Sequence, residues 1–232
     1  MNQIKLTPRL AAAASFIPTG ARLADIGTDH GFLPVWCAEQ GVCQSVTASD
    51  LREGPLSSAV RTAEAHLVSD KIQFICASGL EGLAEGSVDT VVIAGMGGET
   101  IIGILEASPR ISEHVRLILQ PQSKVTELQC WLDLHGFQIE EAALAEDAHR
   151  LYLIFTCSHT DAPTKDPGPH CLRLLEGNPL LPAYIEGLLS RCFKEQEGLQ
   201  HALCSAGPEE RDKIITALAN LQNTITNYRR YL

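Results

Sequence analysis

No stretch of the sequence is apolar for long: charge interrupts every hydrophobic run well short of the roughly 20 residues that a membrane span needs. The first 20 residues, MNQIKLTPRLAAAASFIPTG, lack the ordered basic region, apolar core and cleavage site of a secretory signal, so a cytoplasmic protein without a membrane partner is expected. Basic charge is also scarce. Eighteen Lys and Arg stand against 28 Asp and Glu, a formal net charge of −10. That balance excludes a general nucleic-acid binder, such as a DNA-coating protein, that works through a broadly basic surface, and leaves room only for a localised basic patch. The eight cysteines, at positions 37, 43, 76, 130, 157, 171, 192 and 204, form no CxxC pair and have no paired His at ligand spacing. No metal site is expected, and the cysteines read as reduced thiols, several of them in the core.

What is present is a globular composition. Of the 232 residues, 45% are hydrophobic and 20% charged, which excludes a disordered tail, a collagen-like fibre and a coiled-coil rod. Thr7-Pro8 reads as an N-cap followed by Pro at the first helical position, and Leu6, Leu10, Ala13 and Phe16 recur near helical spacing, so a short leading helix carrying Lys5 and Arg9 is expected. Compact apolar runs follow at 22–26, 45–49, 72–76, 88–93 and 115–119, separated by helical patterns. This alternation predicts five βα units and a doubly wound, Rossmann-like α/β sheet. Two strand-like runs in succession, Phe137 to Ala145 and Leu151 to Cys157, then predict a terminal antiparallel hairpin joined through 146–150. Linker composition (SHTDAPTKDPGP, 158–169) marks a boundary, so residues 1–160 form one domain and 161–232 a small helical, coiled-coil-like C-terminal one. In the second, Leu180 to Ala206, interrupted by Pro182, and Pro208 to Leu232 read as helices, the last with an apolar stripe of Ile214, Leu218, Leu221 and Ile225.

In an open α/β sheet, ligands bind at the carboxyl ends of strands beside the switch in strand order. The first strand ends there in Asp25-Ile26-Gly27-Thr28-Asp29-His30-Gly31, with Gly27 free of a Cβ that would fill ligand space. Asp50 closes the second strand, where a carboxylate can accept hydrogen bonds from two ribose hydroxyls. Ala94-Gly95-Met96-Gly97-Gly98 after the fourth strand is a turn nearly devoid of side chains. A dinucleotide would need glycine at position 29 for its pyrophosphate, and the Asp29 carboxylate repels that group. A cofactor with a ribose and an amino-acid cation but no phosphate fits better, and S-adenosylmethionine is such a cofactor.

With D-I-G-T-D-H-G-F-L-P, A-G-M-G-G and L-I-L-Q-P-Q in place, residues 5 to about 157 resemble the bacterial tRNA (adenine-22-N1)-methyltransferase family of class I S-adenosylmethionine-dependent methyltransferases. The resemblance implies transfer of a methyl group to N1 of an adenine in tRNA. It implies that Asp25, Gly27, Thr28 and Asp29 line the methionine end of the cofactor and that Asp50 and Leu51 meet its ribose and adenine. Ala77, Ser78, Gly79 and Leu80 would border the cofactor adenine, and Gly95, Met96 and Gly97 the sulfonium. Asp29, next to the amine of the target adenine, is the first catalytic candidate and His30 the second, the alternative for His30 being a cap on the following helix. Phe32 stands where family members often have Tyr, which keeps an aromatic face and removes a phenol. Methylation of a small molecule or protein, and a module that holds cofactor or RNA without turnover, are the other functions these residues allow. Further from the motifs, His149-Arg150 and the Lys5/Arg9 pair are either RNA contacts or solvated surface, and Trp36 and Trp131 read as core.

Overall fold

A computed structural model of the chain describes residues 3–160 and 170–232. Most of the linker-like stretch therefore falls outside the described residues. The chain divides into two compact units, Met1–Leu174 and Leu175–Leu232.

The first unit is a seven-stranded sheet in the order β3-β2-β1-β4-β5-β7-β6. Its strands are β1 Ala21–Ile26, β2 Cys43–Asp50, β3 Ile72–Cys76, β4 Thr90–Gly97, β5 Arg116–Ser123, β6 Phe137–Asp147 and β7 Arg150–His159. The first five are parallel, and β7 runs antiparallel to both β5 and β6. Strand order reverses beside β1, which opens the crevice where ligands bind in such sheets. Leu23, Ala24, Val91, Val92, Ile93, Leu117, Ile118 and Leu119 have no exposed surface. These central strands are apolar at consecutive positions because helices cover both faces. The covering helices include α1 Pro8–Ser15, α2 Phe32–Gln40, α3 Glu53–Ala65 and α4 Gly98–Ala107, followed by α5 Pro109–Ser112 and α6 Val125–Leu134.

Several boundaries differ from the sequence reading, each for a local reason. Lys5 precedes α1, which starts only after the Thr7 side chain caps Leu10 N–H, so Lys5 and Arg9 do not share a helical face. β4 begins at Thr90 rather than Val88 and continues through Gly97, because Met96 and Gly97 pair with Pro121 and Ser123 across a register irregularity. The glycine-rich segment is thus the bulged end of a strand, with the helix opening at Gly98. The β6–β7 connection shrinks to Ala148 and His149, both in the left-handed region (φ 48° and 60°), as a tight hairpin turn requires. A short helix, α7 His170–Leu174, had no pattern to announce it; it packs on β6, with Cys171 and Leu172 buried.

In the second unit, α8 Leu181–Ser205 and α9 Pro208–Arg229 pack against each other. Pro182 does not interrupt α8: it lies in the first turn, where the missing N–H has no helical partner to lose. Ile214, Leu221 and Ile225 are buried and Leu218 half-buried, so the apolar stripe of α9 is covered. Arg229 lies over the Phe193 ring, 5.8 Å from its centre. Cys37, Cys157, Cys171 and Cys192 are buried free thiols, and no group of His, Cys, Asp and Glu suited to a metal occurs among the described residues. No described helix is long and apolar enough to cross a membrane.

Candidate active site

The turn after β1 is tied to the neighbouring strand. Gly27 and Thr28 donate their N–H groups to Ser49 O at 2.8 and 3.0 Å, which presses the turn against the end of β2. Gly27, Asp29 and Gly31 all adopt positive φ (73°, 50° and 72°). Gly27 has a second reason to be glycine, since the methyl of Met96 occupies the place of a Cβ. At Gly31, a Cβ would stand 2.9 Å from Ala59 Cα, so the start of α2 lies backbone-close to α3. Asp29 holds the glycine-like conformation with a side chain attached. Its carboxylate is largely exposed, 3.7 Å from His30 Nε2, and the His30 ring stacks on Phe32 with centres 5.6 Å apart. Gly31 is the N-cap of α2, and His30 pairs with Asp29 instead of capping that helix.

Below the turn, Asp25 is buried, and burial pushes its carboxyl up to about 6; the Thr28 hydroxyl and Arg9 offset part of this, and Asp50 adds to it. The Thr28 hydroxyl is itself buried beside that carboxyl. On the other side of β1, Asp50 Oδ1 accepts Arg52 N–H at 2.9 Å and Oδ2 faces Asp29 N–H at 3.4 Å. Asp50 is buried too, so its carboxylate is oriented by backbone rather than by solvent.

The end of β4 is organised by Gln120 of β5, which has no exposed surface. Its Oε1 accepts both Gly95 N–H at 3.1 Å and Arg9 Nη1 at 2.7 Å, while its Nε2 donates to Pro121 O. These three strand ends enclose a cavity of about 660 Å³, of the size that holds a nucleoside-sized ligand.

Comparison with known proteins fits this geometry. A methyltransferase-domain family matches residues 6–155, more than half of the chain. The tRNA (adenine(22)-N(1))-methyltransferase of Bacillus subtilis (strain 168) is 33% identical over 162 residues, 69% of this chain and 68% of its own length. This chain belongs to the tRNA (adenine-22-N1)-methyltransferase family. Among solved structures, the B. subtilis m1A22 tRNA methyltransferase TrmK superposes with a TM-score of 0.78 at 27% identity, covering 98% of this chain and 99% of that one. The Streptococcus pneumoniae protein Sp1610, solved in complex with S-adenosyl-L-methionine, gives 0.72 at 34% identity, covering 95% of this chain and 100% of that one.

Most of the residues read from the family motifs meet at the cavity. Asp25, Gly27, Thr28, Asp29, His30, Asp50, Leu51, Ala77, Ser78, Gly79, Gly95 and Met96 line it, and Phe32 is at its wall, 42% exposed. Leu80 and Gly97 do not: Leu80 is buried in the core, and Gly97 packs against the Ser123 hydroxyl. The sequence reading missed Thr7, Leu10, Thr100, Ile104 and Gln122, which also line it. Arg9, read as a surface residue, points inward to Gln120 and lies over the Tyr152 ring. Among these, Gln122 alone carried a signal, as the last residue of L-I-L-Q-P-Q. Trp131 is half-buried and donates to Glu106 Oε1, so it is a packing residue with a polar tip.

Proposed function

We propose that this protein transfers the methyl group of S-adenosylmethionine to N1 of adenine 22 in tRNA. The observation that carries this reading is the cavity that joins the Asp50 carboxylate, the Gly27 turn and the bulged Gly95-Met96 end of β4. Its chemistry suits a nucleoside carrying an amino acid: a backbone-oriented carboxylate for ribose hydroxyls and a glycine cradle. The family relationship supports the same cofactor, which Sp1610 binds.

The cofactor supplies an electrophilic methyl group on a sulfonium, and the rest falls to the residues of the chain. Asp50 would accept hydrogen bonds from the two ribose hydroxyls and so fix the position of the nucleoside. The Gly27 turn and Met96 shape the cavity wall against which the methionine end of the cofactor would lie. N1 of neutral adenine has a lone pair at pH 7, so alignment matters more than base strength. A target base that has left its stack presents its Watson–Crick edge, with N1 and the amine, inward. Phe32, extended by the stacked His30, offers a face for that base at the mouth of the cavity. Asp29, beside them, accepts a hydrogen bond from the exocyclic amine, stabilises the ring cation as it forms and takes its proton afterwards.

The test is incubation of the full chain with unmodified bacterial tRNA and isotopically labelled cofactor, followed by mass spectrometry of the nucleosides. Labelled 1-methyladenosine located at position 22 is the expected product. Cofactor binding with no methylated nucleoside would reduce the protein to a binding module.

A further inference from the structure

The cavity runs along the strand ends in the order of the sheet. Asp50 and Leu51 after β2, with Ala77, Ser78 and Gly79 after β3, form one end, and the Gly27 turn and the Gly95-Met96 bulge form the middle. In the proposed reaction these parts are taken by the nucleoside and the methionine of the cofactor. What is left lies past β4, at the end of β5, and the side chain that lines it there is Gln122.

Two glutamines, two residues apart on β5, are used in opposite ways. Gln120 has no exposed surface and commits its amide to the fold: Oε1 holds Gly95 N–H and Arg9 Nη1, and Nε2 donates to Pro121 O. Residues i and i+2 of a strand face the same way, so Gln122 comes up beside the same glycine. Its Nε2 is 3.7 Å from where a Cβ on Gly95 would stand. Unlike Gln120 it is exposed, and its amide makes no hydrogen bond among the described residues.

The backbone that carries this free amide is fixed. Pro121 is buried and paired with Met96, and Ser123 is paired with Gly97. The Lys124 carbonyl occupies the place of a Cβ on Gly98, so the chain just beyond Gln122 lies backbone to backbone against the start of α4. One acceptor and one donor are thus presented together at the β4–β5 end of the cavity, with little freedom in the strand behind them.

Methylation at N1 restricts how the target base can be read. The N1 lone pair has to stay free for the methyl group, so a donor that recognised adenine at N1 would block the reaction. The exocyclic amine and N7 remain. A primary amide matches that pair, its oxygen accepting from the amine and its N–H donating to N7, as glutamine reads adenine in nucleic-acid grooves. The amine has two hydrogens: the one on the N7 side faces such an amide, and the one on the N1 side is left for Asp29. Guanine carries acceptors at both O6 and N7, so the amide oxygen would stand against O6 unpaired.

We propose that Gln122 is a specificity-determining residue for the target base, holding the amine and N7 of adenine so that N1 turns toward the methyl group. The proposal rests on the function stated above.

The test crosses a substitution in the full chain with the removal of one acceptor from the tRNA. Two tRNAs are assembled by ligation, one with adenosine and one with 7-deazaadenosine at position 22, the second lacking the N7 acceptor. Gln122→Glu keeps the size and the acceptor of the side chain and has no N–H. The quantity read is the preference for adenosine over 7-deazaadenosine in kcat/KM, taken for wild type and divided by that of Gln122→Glu. Any effect of the missing N7 on the reactivity of N1 is common to both proteins and cancels in this ratio. The expected ratio is on the order of 10, the size of one hydrogen bond whose donor is left unpaired. Gln122→Glu should also bind S-adenosylhomocysteine within about threefold of wild type in calorimetry. A ratio near one, from a wild-type protein that methylates adenosine 22, overturns the proposal and leaves the proposed function standing. Loss of S-adenosylhomocysteine affinity in Gln122→Glu as large as its loss of rate would make Gln122 a cofactor contact, which overturns it too. If the wild type formed no 1-methyladenosine at position 22, the proposed function would fail, and this proposal with it.

Discussion

Asp29 occupies a backbone conformation that a side chain normally avoids, at φ 50°, where the phosphate-binding turns of dinucleotide enzymes use glycine. A largely exposed carboxylate lining the cavity stands at that position, which points to a use for it. Asp29→Ala is expected to lower the methylation rate at saturating cofactor by a factor on the order of 10² to 10³, as loss of one electrostatic or acid–base group does. Turnover unchanged at saturation would demote Asp29 to a cofactor contact and transfer attention to His30. Asp25 yields a different expectation, about stability. Its carboxyl rises from 3.8 to about 6 on folding, chiefly through burial. A raised carboxyl favours the folded state most below pH 3.8, and that advantage is lost as pH climbs through about 6. By pH 8 the ionised group costs the ligand-free protein on the order of 3 kcal/mol. Asp25→Asn should therefore melt higher than wild type at pH 8, with the difference shrinking toward pH 4, while weakening cofactor binding. A difference in melting temperature that stays constant across that range would remove the burial argument. At this scale the sequence was legible where chemistry is concentrated in one turn: Asp25, Gly27, Thr28, Asp29 and Asp50 lie at strand ends, and strand ends can be found from apolar runs. Arg9 was not legible, because its partners Gln120 and Tyr152 lie more than a hundred residues away and only the folded sheet brings them together.

Among the elements, the close approach of α2 to α3 sets the direction in which the Asp29–His30–Phe32 segment faces. Gly31 permits it: the backbone is left-handed there, and the Ala59 backbone stands where a side chain would go. Gly31→Ala combines a conformational penalty with a clash that no flexible side chain can relieve, for a destabilisation of about 2–4 kcal/mol in denaturant unfolding. Its cofactor affinity should fall with it, since α2 must move off α3 and carry the turn along. A loss under about 0.5 kcal/mol would show that the helices can part without consequence, as at an ordinary surface position. Strands were readable as continuous apolar runs because helices bury both faces. What escaped was set by partners rather than by local pattern: the extension of β4 through Met96 depends on pairing with Pro121 and Ser123, and five-residue α7 is too short for any periodicity to register.

For the molecule as a whole, charge is unevenly shared. Residues 1–160 carry 10 basic and 19 acidic side chains, and residues 161–232 carry 8 and 9. A tRNA therefore meets less repulsion from the C-terminal residues than from the rest of the chain. A protein ending at Leu174, the limit of the first compact unit, should keep its cofactor affinity within a few-fold, since every cavity residue precedes that point. Its tRNA affinity and turnover should fall, and the tRNA binding that remains should depend less steeply on salt than that of the full chain. Full-rate methylation of tRNA by the shortened protein would assign the helical pair to stability or self-association instead. Ending the chain before His170 is a different experiment, because it strips α7 and its buried Cys171 and Leu172 from β6.

The order of strands also bears on how the protein is made. β7 lies between β5 and β6 although β6 is translated first. While the chain leaves the ribosome, β6 emerges with no strand to join, and the edge of β5, whose Leu117, Ile118 and Leu119 are later paired with Cys157, Thr156 and Phe155, stays open. An uncovered apolar edge of this kind invites mispairing with other chains. The two glycine turns and Asp50 are all synthesised once the chain reaches Gly98, yet Arg9, which lines the cavity, gains its contact with the Tyr152 ring only when β7 slots in. Cofactor present in the cell can thus stabilise this protein only at the end of synthesis, and β7 is the strand on whose arrival that protection waits.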